Sequence, residues 1–500
     1  MIRLDLSTPW GVTAALLPEI LLTVAALLVL LVVSWRHSTA EDSRLAGWLS
    51  LLGVAVSAVG LGALWVQGVE AEGLAQMVAL DPFRYAAAAL ALIAAAGTIM
   101  ISIAYLERER MLAPEYYPLI LLATAGMMFL AGAEDLIVLF LGLEVMSVAV
   151  YVLAGYNRAS PFSAEAALKY FLIGAFASGF LLYGIALVYG ATGTTNLSLI
   201  GAQLAGRLPP LMASLGLGLL VIGFGFKVAA VPFHMWAPDV YDGSPTPVTG
   251  FMATGVKAAA FAALVRVLLE AFPSAAPVWQ PVVAGLAILS MVVGNLVALT
   301  QRSIKRMLAY SSIAHAGYLL VAVWPGSLSG AGAVLLYLLA YGLTTLASFG
   351  FVAVLGRGGE RDLSNDDLAG MGATRPLVAL GFSICMLSLL GFPGTFGFIG
   401  KWYIISATVA EGQYILPVVL VLTSVVSAGY YLPVIMAMYM KPAPAAARYE
   451  SSRLSPAAAG AIAISVALII LLGVWPGGLL DVAAQSAATL TQTGRPLAGP

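Results

Sequence analysis

Among the ionisable side chains inside long apolar runs of this chain, Glu144, Lys169, Lys227, Lys257, His315 and Lys401 could carry chemistry. A charge at mid-bilayer costs at least ~2.5–3.5 kcal/mol on the mildest scale. Glu144, in LFLGLEVMSVAVYVL, is the one carboxylate near the centre of such a run. Carboxylate, amine and imidazole share one capacity, which is to take up and release protons. Burial disfavours the charged form of each, so each wants a counter-charge or a transferable proton. The chemistry open to this set is ion movement, above all of protons.

Lys227 and Lys257 belong to one stretch, GFGFKVAAVPFHMWAPDVYDGSPTPVTGFMATGVKAAA, at 223–260. Pro232 interrupts a helix there and frees a carbonyl about one turn earlier. A lysine beside loosened backbone can change partner, which makes Glu144 and Lys227 a natural switching pair. The alternative is a buried ion pair that only fixes helix packing. Lys257 is either a deep member of the set or a lysine snorkelling towards the cytoplasm. His315, in SSIAHAGYLLVAVW, can pass a proton on either ring nitrogen, or can be a hydrogen-bonded packing residue. Lys401 follows a second break, at Gly391, Pro393 and Gly394, as Lys227 accompanies the break at Pro232. Lys169 lies near the start of its run, where it can also face the interface. His234 reads as a residue that caps or packs the turn, Arg266 as a snorkelling arginine at an outer helix end, and Glu19 as near the outer surface.

Composition says what holds these residues. The 500-residue chain is 61% hydrophobic and 9% charged, whereas soluble domains carry about 25% charged residues. The class is an all-α polytopic membrane protein embedded in a lipid bilayer. A single cysteine, Cys385, excludes a disulfide framework and a cluster held by this chain alone. A net charge of -1 gives no sign of a nucleic-acid partner. The start, MIRLDLSTPWG, lacks the pattern of a cleaved signal, so the first span is expected to direct insertion. No phosphate loop or metal-ligand spacing is present, because GFGF at 223–226 lies within a span and follows no strand.

Apolar runs of about 20 residues are the unit that crosses a bilayer. About fourteen are expected, near 14–34, 45–66, 83–106, 116–132, 135–155, 166–190, 211–236, 248–270, 278–299, 304–324, 330–355, 376–409, 413–439 and 457–478. The seventh is interrupted at Val231-Pro232, and the twelfth at the glycine- and proline-rich Gly391–Gly397. The two breaks are five spans apart. Two five-helix units are therefore expected, and an odd-numbered repeat must be inverted in the membrane. The expected division is 1–110, 111–272 for the first unit, 273–441 for the second, and 442–500.

Loops after odd-numbered spans hold Arg36, Arg44, Arg108, Arg110, Arg158, Arg302, Lys305, Arg306, Arg357, Arg361, Arg375, Lys441, Arg448 and Arg453. The other side holds Arg3, Arg84, Arg207 and Arg495. This asymmetry places the odd loops in the cytoplasm and both termini outside. The tail beyond about 480 reads as poorly ordered.

Several stretches carry a resemblance: FLGLEVMSVAVYVLAGY (140–156), SAEAALKYFLIGAFASGFLLYGIALVYG (163–190), the 223–261 stretch, TQRSIKRMLAYSSIAHAGYLL (300–320) and LLGFPGTFGFIGKWYI (389–404). In order, over roughly 80–440, the chain resembles the N-type antiporter-like membrane subunits of respiratory complex I, the NADH–quinone oxidoreductase. The resemblance implies fourteen helices, two inverted five-helix repeats and broken helices seven and twelve. It implies a glutamate–lysine pair at Glu144 and Lys227, a connecting lysine at Lys257, a central His315, a helix-twelve lysine at Lys401 and a modulating Lys169. M-type subunits carry glutamate at the helix-twelve position, and L-type subunits extend into a long lateral helix, so neither matches as well. The implied function is proton translocation in a bacterial inner membrane. NADH, FMN, iron–sulfur clusters and quinone would reside in other subunits, with no cofactor or metal here. The implied partners are the neighbouring M-type subunit and the small K-, J- and A-type subunits. Two rival readings stay open: a subunit of a multi-subunit sodium/proton antiporter, and a scaffold that carries no protons.

Overall fold

A computed structural model describes residues 3–5, 8–35, 39–68, 70–72, 77–111, 114–206, 208–356, 363–442 and 455–491. Of the basic residues used for orientation, Arg36, Arg207, Arg357, Arg361, Arg448, Arg453 and Arg495 lie outside the described residues, as do the side chain of Arg3 and the start of the loop that begins at Arg357. Two three-residue strands, β1 (Arg3–Asp5) and β2 (Glu70–Glu72), pair in parallel. The rest of the regular structure is helical.

The principal helices are α1 (Leu17–Ser34), α2 (Ala40–Gln67), α3 (Pro82–Arg108), α4 (Tyr116–Ala131), α5 (Leu136–Ala154), α6 (Pro161–Thr192), α7 (Leu211–Val228), the short α8 (Trp236–Gly243) after the first break, and α9 (Thr246–Ala271). They continue as α10 (Ala276–Ala298), α11 (Ile304–Val323), α12 (Leu328–Leu355), α13 (Pro376–Leu390), α14 (Phe396–Ala410), α15 (Ile415–Met440) and α16 (Pro456–Val474). Among the described residues, eleven helices are long and apolar enough to cross a membrane by length and composition. The other expected spans are the short α4, the broken pair α13–α14, and α11, whose Lys305, Arg306, Ser311, Ser312 and His315 dilute its apolar character. Every expected span therefore has its helix. Between 480 and 491 the chain departs from expectation: α17 (Gly477–Ala488) is a regular helix packed against α12, and residues 492–500 of the expected tail lie outside the described residues.

Caps fix where the helices begin. Asp81 precedes Pro82 and accepts from the Arg84 backbone N–H, which starts α3. Thr39 and Asp42 form a reciprocal capping box at the start of α2. Ser160, followed by Pro161, starts α6.

Both broken spans end their first half in the same way. α7 closes with Ala229 N–H on Phe226 O and Ala230 N–H on Gly225 O, and α13 with Gly391 N–H on Ser388 O and Phe392 N–H on Leu387 O. This is one helix-ending motif used twice, with its left-handed residue at Ala229 (φ 59°) and at Gly391 (φ 86°). Pro232 and Pro393 follow. The freed backbone is satisfied by protein, as it must be at membrane depth: Ser290 of α10 accepts from Val231 N–H, Trp236 Nε1 donates to Phe226 O, and Ser388 accepts from Gly397 N–H.

Packing also repeats. α4 and α5 form a tight hairpin in which a Cβ on Gly126 would lie 2.5 Å from Met146 N. α10 and α11 form another, in which a Cβ on Gly294 would lie 2.6 Å from Ala314 N. Small residues let backbones touch where lipid offers no hydrophobic drive. The next helix packs on each hairpin, α6 on α5 and α12 on α11, and each broken span packs on that helix. At the centre lie α9 and α12, with 94% and 83% of their apolar windows buried.

Candidate functional site

The expected ionisable residues fall into two buried groups and one surface group. The first is built on α5, where Glu144, Ser147 and Tyr151 share a face at helical spacing. Lys227, in the last turn of α7, donates to Ser147 Oγ at 2.7 Å and Tyr151 OH at 3.2 Å. Its Nζ lies 5.2–5.7 Å from the ring centroids of Tyr151, Phe226 and Tyr170, within cation–π range. Glu144 is half-buried and accepts from Ser178 of α6 at 2.5 Å. Among the described residues no ion pair joins Glu144 to Lys227. The lysine sits one helical step away, on Ser147, in the parted arrangement of the expected pair.

The second group is continuous. Lys257 follows a π-helical turn, Met252–Val256, inside α9, a distortion frequent at functional sites. Its Nζ donates to Ser312 O at 2.6 Å and Ser312 Oγ at 2.5 Å. Tyr341 of α12 also donates to that hydroxyl, at 2.8 Å, and its ring lies 5.5 Å from Lys257 Nζ. One turn along α11, His315 meets Tyr337 OH at Nδ1 (2.6 Å) and Tyr431 OH at Nε2 (3.2 Å). Tyr431 also bonds Ser311. The Tyr318 ring stands edge-on to His315, and Lys401 Nζ lies 4.6 Å from its centroid. Lys401 donates to Leu390 O at 2.9 Å and Ser424 Oγ at 3.1 Å. Leu390 is the last residue of α13, so the ammonium caps the carbonyl end that the break exposes. Lys257 therefore points inward rather than snorkelling, with 1% exposure. Lys401 occupies the second half-helix, α14, whereas Lys227 occupies the first half-helix of its break.

Lys169 is elsewhere. Its side chain is 40% exposed and pairs with Glu165 and Asp239, each at 2.7 Å. Asp239 of α8 also holds Arg306 of α11 at 2.9 Å. This network joins α6, α8 and α11 beside Tyr170, which stacks on Trp236 at 4.4 Å and underlies Lys227. His234 Nδ1 is buried and has no hydrogen bond among the described residues.

Two arginines differ from expectation. Arg84 and Arg266 are both 0% exposed, neither in a loop nor snorkelling. Arg84 pairs with Glu19 at 2.7 Å, and Arg266 holds Asp81 and Glu270 at 2.8 Å. Carboxylates at the ends of four helical segments reach them, and so bury charge that the sequence reads as loop. The hydroxyl partners of the lysines and histidine were also missed. Their signal is visible in hindsight as serine and tyrosine at helical spacing: Glu144–Ser147–Tyr151, Ser311–Ser312–His315–Tyr318 and Tyr337–Tyr341.

Comparison with known proteins bears on this geometry. Residues 133–427 match the NADH:quinone oxidoreductase/Mrp antiporter transmembrane family. A relative from Gemmatimonas aurantiaca named NADH-quinone oxidoreductase subunit N is 44% identical over 99% of this chain and 97% of its own length. One of the same name from Trichlorobacter lovleyi is 43% identical over 94% and 96%. A chain of respiratory complex I from Thermus thermophilus superposes with a TM-score of 0.78 at 37% identity, covering 93% of this chain and 99% of that one. A chain of the Mrp complex from Dietzia sp. shares the fold, with a TM-score of 0.83 at 22% identity over 96% and 98%. With the family model covering more than half of its length and two relatives above 40% identity along nearly all of it, the chain belongs to the NADH:quinone oxidoreductase/Mrp antiporter family of membrane subunits.

Proposed function

We propose that this chain is a proton-translocating subunit of the membrane arm of a bacterial NADH–quinone oxidoreductase. One observation carries the reading: Lys257, His315 and Lys401 are buried and linked through Ser312, Tyr341 and Tyr318, beside a Glu144–Lys227 site. The Ser312, Tyr341 and Tyr431 hydroxyls and the His315 imidazole offer steps for a proton, and the Tyr318 ring packs Lys401 against that cluster. The close relatives named subunit N favour this complex over an antiporter, since the likeness to the Mrp chain is one of fold.

The chain would sit in the inner membrane with both termini outside. Residues 111–272 and 273–441 would be the inverted five-helix units, flanked by 1–110 and 442–500; the matched breaks and glycine contacts support this. NADH, flavin, clusters and quinone would be held by other subunits, among them the M-type and small K-, J- and A-type neighbours. Quinone reduction there would shift the field at Glu144. Lys227 would leave Ser147 and Tyr151 for the carboxylate, and the altered charge would drive a proton from Lys257 through His315 to Lys401. Lys169, held by Asp239 beside Tyr170, would modulate the pair from the surface.

The test replaces Glu144 with Gln and Lys227 with Ala in the assembled complex. Protons pumped per NADH should fall while NADH oxidation with an artificial acceptor stays. Unchanged pumping sinks the mechanism. Sodium-dependent transport without quinone reductase activity would assign the chain to an antiporter. A loss of assembly alone, in every deep-charge variant, would assign it to a scaffold.

A further inference from the structure

Away from the lysines, the C-terminal end of α9 meets the start of α3 and the connection between α4 and α5. Three carboxyls converge there: Asp81, Glu134 and Glu270, with oxygens within 4.8 Å of one another. Arg266 stands among them. Its Nη2 contacts Asp81 at 2.8 Å, and its Nη1 contacts Glu270 at 2.8 Å and Glu134 at 3.8 Å. None of the four side chains exceeds 7% exposure.

We propose that Asp81, Glu134 and Glu270, gathered around Arg266, form a buried site that holds one exchangeable proton at neutral pH. Three carboxylates against one guanidinium leave a net charge of -2 in a site closed to solvent, and buried charge is expensive unless matched. The neighbours do not supply the difference. From α1 comes Glu19, already paired with Arg84 of α3, so that couple is neutral. Asp135, next in the chain, is engaged by Ile137 N–H and Thr195 Oγ1.

Hydrogen bonding points the same way. Glu134 Oε1 is buried and, among the described residues, has no hydrogen-bond partner, and Arg266 Nε lacks one too. An ionised oxygen left so is costly. A proton on Glu134 turns the orphan acceptor into a donor, with carboxylate oxygens of Asp81 and Glu270 within 4.8 Å of the Glu134 carboxyl. Burial pushes the Glu134 carboxyl well above the usual carboxylate range, with Arg266 opposing and Asp81 raising it further. Like charges sharing a small site cannot all ionise.

The step is a proton transfer only: one O–H bond on Glu134 breaks, one forms on the acceptor carboxylate or on water, and no electrons move. Arg266 lies nine residues beyond Lys257 on α9, about 13.5 Å at 1.5 Å per residue. In the translocation reading, on which this role rests, the site is where a proton waits before release at the outer face.

The test is infrared difference spectroscopy of the assembled complex, titrated around pH 7, comparing the wild type with Glu134→Gln. The wild type should show a protonated-carboxyl C=O band at pH 7 that fades as the pH is raised. Glu134→Gln should lose it, and Glu411→Gln, at an exposed position, should keep it. Glu134→Asp, which retains a carboxyl if the amide disturbs assembly, should shift the band rather than abolish it. The proposal is overturned if the wild type has no such band, if the band survives in Glu134→Gln, or if metal analysis finds a bound cation at the three carboxyls instead. The spectrum is read without turnover, so a failure of Glu144 or Lys227 to affect pumping leaves this result standing, and the two readings fail separately.

Discussion

Gly391 and Gly394 bracket Pro393 in the second break, and both have φ of 86°. A Cβ in the left-handed region costs roughly 1–2 kcal/mol at either place. What surrounds that Cβ differs. At Gly391 it would lie 2.9 Å from Lys401 Cδ and 3.4 Å from Cε and Nζ, whereas at Gly394 nothing lies within 4 Å. Gly391→Ala must therefore shift the Lys401 side chain, and the expected outcome is that Nζ loses its bonds to Leu390 O and Ser424. Losing hydrogen bonds to a charged group costs about 1.5–3 kcal/mol, which biases Lys401 away from its seat by about 10- to 150-fold at 1.4 kcal/mol per tenfold. Gly394→Ala carries the backbone cost without the displacement. Both variants should lower the thermal midpoint of the complex. Only Gly391→Ala should lower protons pumped per NADH in inside-out vesicles, several-fold. Equal pumping in the two variants would show that the position of Lys401 against the broken helix end does not matter to turnover.

Two further perturbations isolate the hydroxyl partners. Ser147→Ala removes the shorter of Lys227's two bonds (2.7 Å) and should move the lysine towards Glu144; pumping per NADH falls, Ser147→Thr restores it, and a double-mutant cycle with Glu144→Gln gives a coupling above about 0.5 kcal/mol. Tyr337→Phe keeps the ring stacked on His315 and deletes its 2.6 Å bond. Its stability cost should be about 0.5–1.5 kcal/mol, and coupled pumping should slow at unchanged assembly.

Much of this protein is legible in its sequence, for a physical reason. Lipid excludes unpaired backbone polar groups, so run length and apolarity alone locate the helices, and proline with glycine locates the two breaks. The same exclusion makes Glu144, Lys227, Lys257, His315 and Lys401 conspicuous. What escapes is whatever depends on who faces whom. Ser312 and Tyr341 are ordinary helix residues until Lys257 is seen between them. Asp81, Glu134 and Glu270 lie at helix ends and look solvated, because hydropathy cannot tell a helix end in water from one folded under its neighbours. Arg84 and Arg266 mislead in the same way. α17 escapes because its apolar run is too short to announce itself, although α12 offers it a surface.

The two glycine-closed hairpins carry a consequence for speed. They bear Glu144, Ser147, Ser312 and His315, and their backbones are already in contact at Gly126 and Gly294. A Cβ would not fit there, so neither helix of a hairpin has slack to slide on the other. The groups that change partners must do so by turning about their own side-chain bonds within a stationary frame. Side-chain rotations take picoseconds to nanoseconds when unhindered, whereas sliding a packed helix takes microseconds to milliseconds. In the proposed translocation, such a frame would act as a charge switch rather than a piston.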